Sequence, residues 1–407
     1  MQPRGALDGI KVIDFTQYGA GPMCAGLLAQ WGADVIKIEH PVRGDSLRGL
    51  QSGVGIAKFK QGIFNYMFVQ PNMNKKSITL DLGRKEGKEV LHRLVAASDV
   101  FLAALRTREV IKFEIEYENL KKINPRLIYA LITGYGTKGA DKDAAGYDSI
   151  AYFARSGITH MLSDANGVPI WPRAGFGDIP SGMFCACGIM LALYTREKLG
   201  IGQAVYTNLF NNGVWALAAD TMAAQATHKD PVKQNRQTTN NPLANYYQTK
   251  DKRWIIMFHM QSGLYWERVC KAIGLADIIN ETRFNTVETR AENCVELIKI
   301  IDNAFAKRTL EEWKAHLADA DLIWSPVQTP SEAVADPQAK ANNFYDTFND
   351  PVWGPLELLP APQKFTETPG SYRTPAPEWG QHTEEVLLGL GYSWDDINSL
   401  RNKKVIA

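Results

Sequence analysis

The first two hundred residues alternate short β-rich apolar runs with segments of helical period, the pattern of a mostly parallel sheet whose strands are joined by crossover helices. The apolar runs predict strands at residues 11–15, 34–39, 77–82, 100–105 and 126–133, and the intervening stretches predict helices at 22–31, 84–98 and 117–123. A long apolar helix is expected over 181–196, stopped by the Gly200-Ile201-Gly202 turn. Residues 205–226 read as a further long helix or a strand plus a helix, the alanine content favouring helix. The pattern then breaks. Residues 227–245, THKDPVKQNRQTTNNPLAN, are polar and nearly free of large apolar side chains, as in a linker or loop. Beyond them a hairpin is expected at 245–248 and 254–259, followed by helices at 264–273, 290–306 and 310–318. A Pro/Gly-rich return at 353–379 shows no strong period, and two short helices, 383–389 and 393–401, close the chain.

This organisation gives a large α/β domain from residues 1–226 and 331–407, a linker at 227–245 and a smaller α+β domain at 246–330. The 407 residues are enough for two substantial cores, and 45% apolar content is that of a globular protein. A net charge near +1 argues against nucleic-acid or membrane partners. A phosphate-rich ligand would therefore have to be met by local basic groups. The amino-terminal stretch has no continuous apolar core of an export signal, and the apolar run 182–194 is shorter than a bilayer span, so a cytoplasmic enzyme is expected. The five cysteines show no CxxC spacing and no metal site is expected; Cys185 and Cys187, inside the apolar helix, read as buried free thiols.

Two segments invite a chemical reading. Gly19-Ala20-Gly21-Pro22 follows a strand and opens a helix, with Glu39 at the end of the next strand, a partial dinucleotide fingerprint. Its third glycine position is Cys24, and Pro22 lacks an amide that would face a pyrophosphate. The second segment is AGFGDIPSGM at 174–183, where small residues leave room beside the Asp178 carboxylate. Asp178 is either a nucleophile or an N-cap of the helix behind it.

The run LDGIKVIDF at 7–15, AGP at 20–22, WGADVIKIE at 31–39, NKKSITLDL at 74–82, TGYG at 133–136, GYD at 146–148, GIGQ at 200–203 and GQHTEEVL at 380–387 together resemble the class III CoA-transferase family. The nearer branch, on RTR at 106–108 and ITGYGTKGADKD at 132–143, is similar to the phenyllactate and 2-hydroxyisocaproate CoA-transferases, which pass CoA to (R)-2-hydroxy acids. The resemblance implies an interlocked-ring homodimer with no permanently bound cofactor, taking acyl-CoA and a small carboxylic acid as substrates. It implies Asp178 as the nucleophile that carries an aspartyl-CoA thioester. It places CoA contacts at Gly19, Ala20, His40, Leu80, Leu82, Leu105, Arg106, Lys112 and Tyr147; the nearby apolar side chains Tyr18, Met23 and Phe176 are candidates to line the acid pocket, or else plain core. Gly19 stands where the oxalate enzyme has Gln, His40 where Arg is frequent, and Ala104-Leu105 where Asn-Phe is common; the oxalate enzyme's glycine-rich loop has no counterpart. Two alternatives stay open: a 2-methylacyl-CoA racemase, disfavoured by Tyr147 in place of the racemase His, and a non-catalytic CoA-binding subunit of a hetero-complex, disfavoured by an intact Asp178.

Overall fold

A computed structural model describes residues 5–49, 56–59, 62–164 and 167–407. The elements run β1 (Lys11–Phe15), α1 (Ala20–Gln30), β2 (Asp34–Glu39), β3 (Ile56–Phe59), β4 (Gly62–Asn65), α2 (Tyr66–Asn72), β5 (Lys75–Thr79), α3 (Lys85–Ala96), β6 (Val100–Ala104), α4 (Thr107–Phe113), α5 (Tyr117–Ile123) and β7 (Ile128–Thr133). A π-helical turn (Ser149–Ala154), α6 (Ile158–Leu162), α7 (Asp178–Leu199), β8 (Gln203–Asn208), α8 (Leu209–Ala216) and α9 (Ala218–Thr227) follow. The chain divides into two compact units. One comprises Met1–His160, Ile170–Pro231 and Asn343–Ala407, the other Met161–Pro169 and Val232–Asn342.

The first unit is built on a six-stranded sheet in the order β5-β2-β1-β6-β7-β8, with every neighbouring pair parallel. Parallel strands covered on both faces read as continuous apolar runs, and β7, IYALIT, is buried at all six positions. On one face α1 and α7 pack around Cys24, Leu28, Val100, Ile128, Cys185 and Ile189. The two helices come close because their contact is made by small residues: a β-carbon on Gly182 would lie 2.7 Å from the Ala20 carbonyl oxygen. On the other face α3 turns Val90, Leu91, Leu94 and Val95 inward at helical spacing, beside Val405 and Ile406 from the chain's end. The chain leaves β1 toward β2 and β5, then returns to β6 on the other side. The carboxyl ends of β1 and β6 thus flank the point where strand order reverses, where ligands collect in open parallel sheets.

The second unit carries a three-stranded antiparallel sheet in the order β11-β10-β9, from β9 (Ala244–Gln248), β10 (Trp254–Phe258) and β11 (Trp324–Pro326). Helices α10 (Ser262–Ile273), α11 (Val287–Glu292), α12 (Cys294–Phe305) and α13 (Leu310–Leu317) supply its own core around Tyr247, Trp266, Phe284, Phe305 and Trp313. Past α14 (Pro330–Ala335) and α15 (Pro337–Ala341) the chain rejoins the first unit with the hairpin β12 (Asp346–Asp350) and β13 (Gly354–Leu358), then α16 (Thr383–Gly389) and α17 (Trp394–Asn402).

Several expectations are corrected. The strand expected at 77–82 is shifted to Lys75–Thr79, because Lys75 is a buried residue satisfied by charge, and the pairing ends before Leu80. The stretch 205–226 opens as a sheet strand, β8, before its helices. The extended return expected at 353–379, which shows no strong period, includes the strand β13. Cys185 is buried, but Cys187 is exposed on the outer side of α7. That helix is 22 residues long and contains an 18-residue stretch of mean hydropathy 1.3, long and apolar enough to cross a bilayer by length and composition. Here it is the central helix of one sheet face, with Arg196 buried against Asp99 at 2.9 Å.

Candidate active site

Asp178 does not cap a helix from outside. It is the first residue of α7, and the N-cap position belongs to Gly177. The capping task falls to Asp148, which is buried and accepts the Ser149 N–H at 2.7 Å and the Gly177 N–H at 3.2 Å. The Asp178 carboxylate is thereby left free to face the loop after β1. A β-carbon on Gly19 would fall 2.0 Å from Asp178 Oδ2 and 2.5 Å from Cγ, so only glycine fits there without moving the carboxylate. The backbone N–H of the next residue, Ala20, faces the Asp178 carboxylate and favours its charged form.

Burial raises the Asp178 carboxyl from 3.8 to about 7, the Asp148 charge adds to the rise, and the Ala20 N–H opposes it. A half-buried carboxyl poised near neutrality, stripped of much of its water and held by one amide, is a stronger nucleophile than a hydrated one. The first turn of α7 adds the positive end of the helix dipole.

Around this pair stand aromatic side chains. Tyr18 and Tyr147 meet edge to face at 5.6 Å, and the neighbouring Tyr18 hydroxyl, more than burial, holds Tyr147 above the usual phenol range. Tyr147 is 56% exposed, so it is no core aromatic; it precedes Asp148 and feels the Arg106 charge. Phe176 is 66% exposed and rests against Phe153 at 5.9 Å. Met23 is partly buried in α1, where its β-carbon lies 3.0 Å from the point a Gly182 β-carbon would occupy.

A cavity of about 410 Å³ opens over the carboxyl ends of β1, β2, β5 and β6. His40, Leu80, Leu82, Leu105 and Lys112 all line it, and Phe15, Thr16 and Gln17 connect it to the Gly19 loop. The residues nonetheless differ in what they can offer. Leu80 and Leu82, each 2% exposed, are also core residues packed with Ile38 and Val90. His40 Nδ1 accepts the Val42 N–H at 3.1 Å, and burial with the Arg43 charge keeps its imidazole below the ordinary value. It is therefore neutral at pH 7 and presents only Nε2–H. At the start of α4 the Glu109 carboxylate accepts the Arg106 backbone N–H at 3.1 Å and pairs with its guanidinium. The Arg106 charge is spent locally, and Arg108 and Lys112 are the exposed cations of that helix, Lys112 being the one that lines the cavity. Arg43, overlooked in the sequence, also lines the cavity. The signal that could have found it is its place on the PVRGD loop directly after β2.

The dinucleotide reading fails on the same geometry. Both Glu39 oxygens are engaged, by Arg48 at 2.7 Å and Ser77 Oγ at 2.6 Å, leaving none for a ribose. Gly21 serves the loop's packing, since a β-carbon there would lie 2.4 Å from Thr16 Cβ. Among the described residues no group of His, Cys, Asp and Glu side chains could hold a metal ion.

A desolvated carboxyl held against the loop that leads to a cavity at a strand-order reversal is compatible with acyl-group transfer. The chain belongs to CoA-transferase family III, whose model matches residues 7–383, and it is a CoA-transferase. It is 35% identical over 405 residues to (R)-2-hydroxy-4-methylpentanoate CoA-transferase of Clostridioides difficile, covering 98% of this chain and 99% of the relative. It is 33% identical over 404 residues to cinnamoyl-CoA:phenyllactate CoA-transferase of Clostridium sporogenes, covering 98% and 96%. The crystal structure of a CAIB/BAIF family protein from Brucella suis superposes with a TM-score of 0.82 at 28% identity, over 95% of this chain and 99% of that one.

Proposed function

We propose that this enzyme moves CoA from an acyl-CoA to an (R)-2-hydroxy acid with a branched or aromatic side chain, through an aspartyl-CoA thioester on Asp178, and works as a homodimer. The observation that carries the proposal is the fit of the Gly19 α-carbon and Ala20 N–H against the Asp178 carboxylate.

Exchange of a thiol between two carboxylates must conserve the thioester against water. An Asp178 oxygen attacks the donor's thioester carbonyl, forming a mixed anhydride and releasing CoA thiolate. The thiolate attacks the aspartyl carbonyl, giving aspartyl-CoA and the donor's free carboxylate. The acceptor carboxylate then attacks aspartyl-CoA, forming a second anhydride and again freeing the thiolate. Attack of the thiolate on the acceptor's carbonyl yields the new acyl-CoA and restores Asp178. Each step is a displacement at an acyl carbon, easier than direct exchange. The Ala20 N–H is the donor in place for the charge that develops at the aspartyl carbonyl.

CoA would lie over the cavity at the strand ends, with Arg43 and Lys112 near its phosphates and the neutral His40 Nε2–H as a further donor. Gly19 and Ala20 would approach the thioester, with Tyr147 beside it and Arg106 acting through Tyr147. The acid's side chain would meet Tyr18, Tyr147 and Phe176, a mostly apolar wall that suits branched or aromatic groups and offers little to oxalate or carnitine. The two relatives named above are a 4-methylpentanoate and a phenyllactate enzyme. Measured kcat/KM for phenyllactate, 2-hydroxyisocaproate, oxalate and carnitine tests the assignment: preference for the first pair is expected, and preference for oxalate or carnitine overturns it.

A further inference from the structure

Four ionisable side chains are sealed beneath the loop that carries Gly19 and Ala20. Asp14, Lys37, Asp45 and Lys75 are each no more than 2% exposed. Lys75 Nζ lies 2.8 Å from Asp14 Oδ2, and Lys37 Nζ lies 2.8 Å from Asp45 Oδ2. Buried ion pairs are a poor source of stability, since an apolar set of like volume often serves as well or better. What an apolar set cannot do is hold backbone. Lys37 Nζ donates to the Thr16 carbonyl at 2.8 Å, and Lys75 Nζ donates to the Pro22 carbonyl at 3.0 Å. Asp14 Oδ1 accepts the Thr16 N–H at 3.1 Å, and Asp45 Oδ1 accepts the Tyr18 N–H at 3.3 Å. The backbone is thus gripped at residues 16, 18 and 22, on both sides of Gly19 and Ala20. Tyr18 is held there at φ 65°, a left-handed conformation that a tyrosine rarely adopts.

The grip at Lys75 is saturated. Its third proton goes to Asn72 Oδ1 at 3.0 Å, so its three donors meet three acceptors in fixed directions. Burial brings the ammonium down to about 8, still charged at neutral pH, with Asp14 working against the fall.

We propose that Lys75, Asp14, Lys37 and Asp45 are positioning residues for catalysis: they hold the 16–22 backbone so that the Gly19 α-carbon and the Ala20 N–H stay on the Asp178 carboxylate through successive acyl transfers. None of the four touches Asp178. The inference rests on Asp178 being the nucleophile.

The test compares the wild type with Lys75→Met and with the charge-neutral double variant Asp14→Asn/Lys75→Met. The single variant leaves a buried carboxylate unpaired and should melt lower. The double variant leaves no unpaired charge and should recover much of the melting temperature, but it still frees Pro22. We expect both to lose kcat by at least about tenfold with KM for acyl-CoA within about threefold. We expect the acid limb of kcat/KM to move up by about half a pH unit or more, since a carboxylate that loses its amide donor ionises less readily. The charges facing Asp178 are unchanged in these variants: Asp148 is intact, and the Ala20 amide is the group displaced. A double variant with wild-type kcat and an unmoved acid limb overturns the proposal. If neither variant folds, Lys37→Met/Asp45→Asn frees the loop from its other side; the same limb shift supports the proposal, and a folded variant with an unmoved limb overturns it. A wild-type enzyme that forms no adduct on Asp178 overturns the nucleophile assignment and this inference with it, whereas an adduct in the wild type with unaffected variants overturns this inference alone.

Discussion

The α-carbon of Gly19 lies so close to the carboxylate of Asp178 that a methyl group on it would fall 2.0 Å from Oδ2. Gly19 has helical dihedrals, φ −104° and ψ −77°, which alanine adopts without strain. Gly19→Ala therefore has one place to exact its cost, the nucleophile. The variant should fold with a melting temperature within a few degrees of the wild type, yet lose kcat by about a hundredfold or more as Asp178 is pushed off its amide donor. Thermal melts and steady-state rates check both halves.

The protonation of Asp178 sets the pH profile. Its carboxyl stands near 7 in the folded chain against 3.8 unfolded, so kcat/KM should rise through pH 7 to a plateau as the nucleophile ionises. For stability the sign is opposite. Between pH 4 and 7 the folded state holds a proton that the unfolded state has released, so this site's contribution falls as pH rises across that window and is absent below it. Asp178→Asn should raise the melting temperature at pH 8 and leave it nearly unchanged at pH 4, as calorimetry at the two pH values would read.

Asp148 offers a way to move that profile without touching the nucleophile. Its charge helps to raise the Asp178 carboxyl, and its Oδ2 accepts the Gly177 N–H. Asparagine keeps an acceptor for the Gly177 N–H, gives up the one for the Ser149 N–H, and removes the charge. Asp148→Asn should shift the acid limb of kcat/KM downward by about half a unit while changing its plateau less than Gly19→Ala does.

Arg43 stands on the loop after β2, where it lines the cavity with His40 and Lys112. Arg43→Ala should raise KM for acyl-CoA by about tenfold with kcat nearly unchanged, the effect growing at low salt as expected for a phosphate contact. His40→Ala should change KM less, because His40 is neutral at pH 7.

Helices α7, α8 and α9 leave large apolar side chains in the open, including Trp215 and Met222 at 67% exposure each, and no residue of α9 is buried. The proposed homodimer would cover such side chains with a second copy of the chain. Sedimentation should give about twice the chain mass at nanomolar concentration, and Trp215→Glu should weaken the assembly.

How far the chain could be read follows from what its side chains do. Strands β1 and β2 match the expected residues 11–15 and 34–39, because an apolar run that ends in a loop has one reading in a parallel sheet. The start of β5 was missed because Lys75 looks like a surface lysine, and nothing local tells that Asp14, 61 residues earlier, neutralises it. Strand β8 was masked by the alanine-rich helices behind it, since propensity averages across a boundary. At the site, Asp178 could be chosen from its small neighbours and the family resemblance, but its N-cap ambiguity was decided by Asp148, which takes over the cap from across a loop. The pairing of Arg106 with Glu109 was open to reading at i,i+3 spacing, and it removes Arg106 as a free cation for phosphate.

The central claim is that Asp178 carries the acyl and CoA groups in turn. Incubating the enzyme with an acyl-CoA, trapping with hydroxylamine and mapping peptides by mass spectrometry tests it directly. The account predicts a modification on Asp178 alone, dependent on acyl-CoA, with turnover falling by at least about a thousandfold in Asp178→Ala. A modification on another residue, or an Asp178→Ala enzyme that still exchanges CoA at close to the wild-type rate, would contradict it.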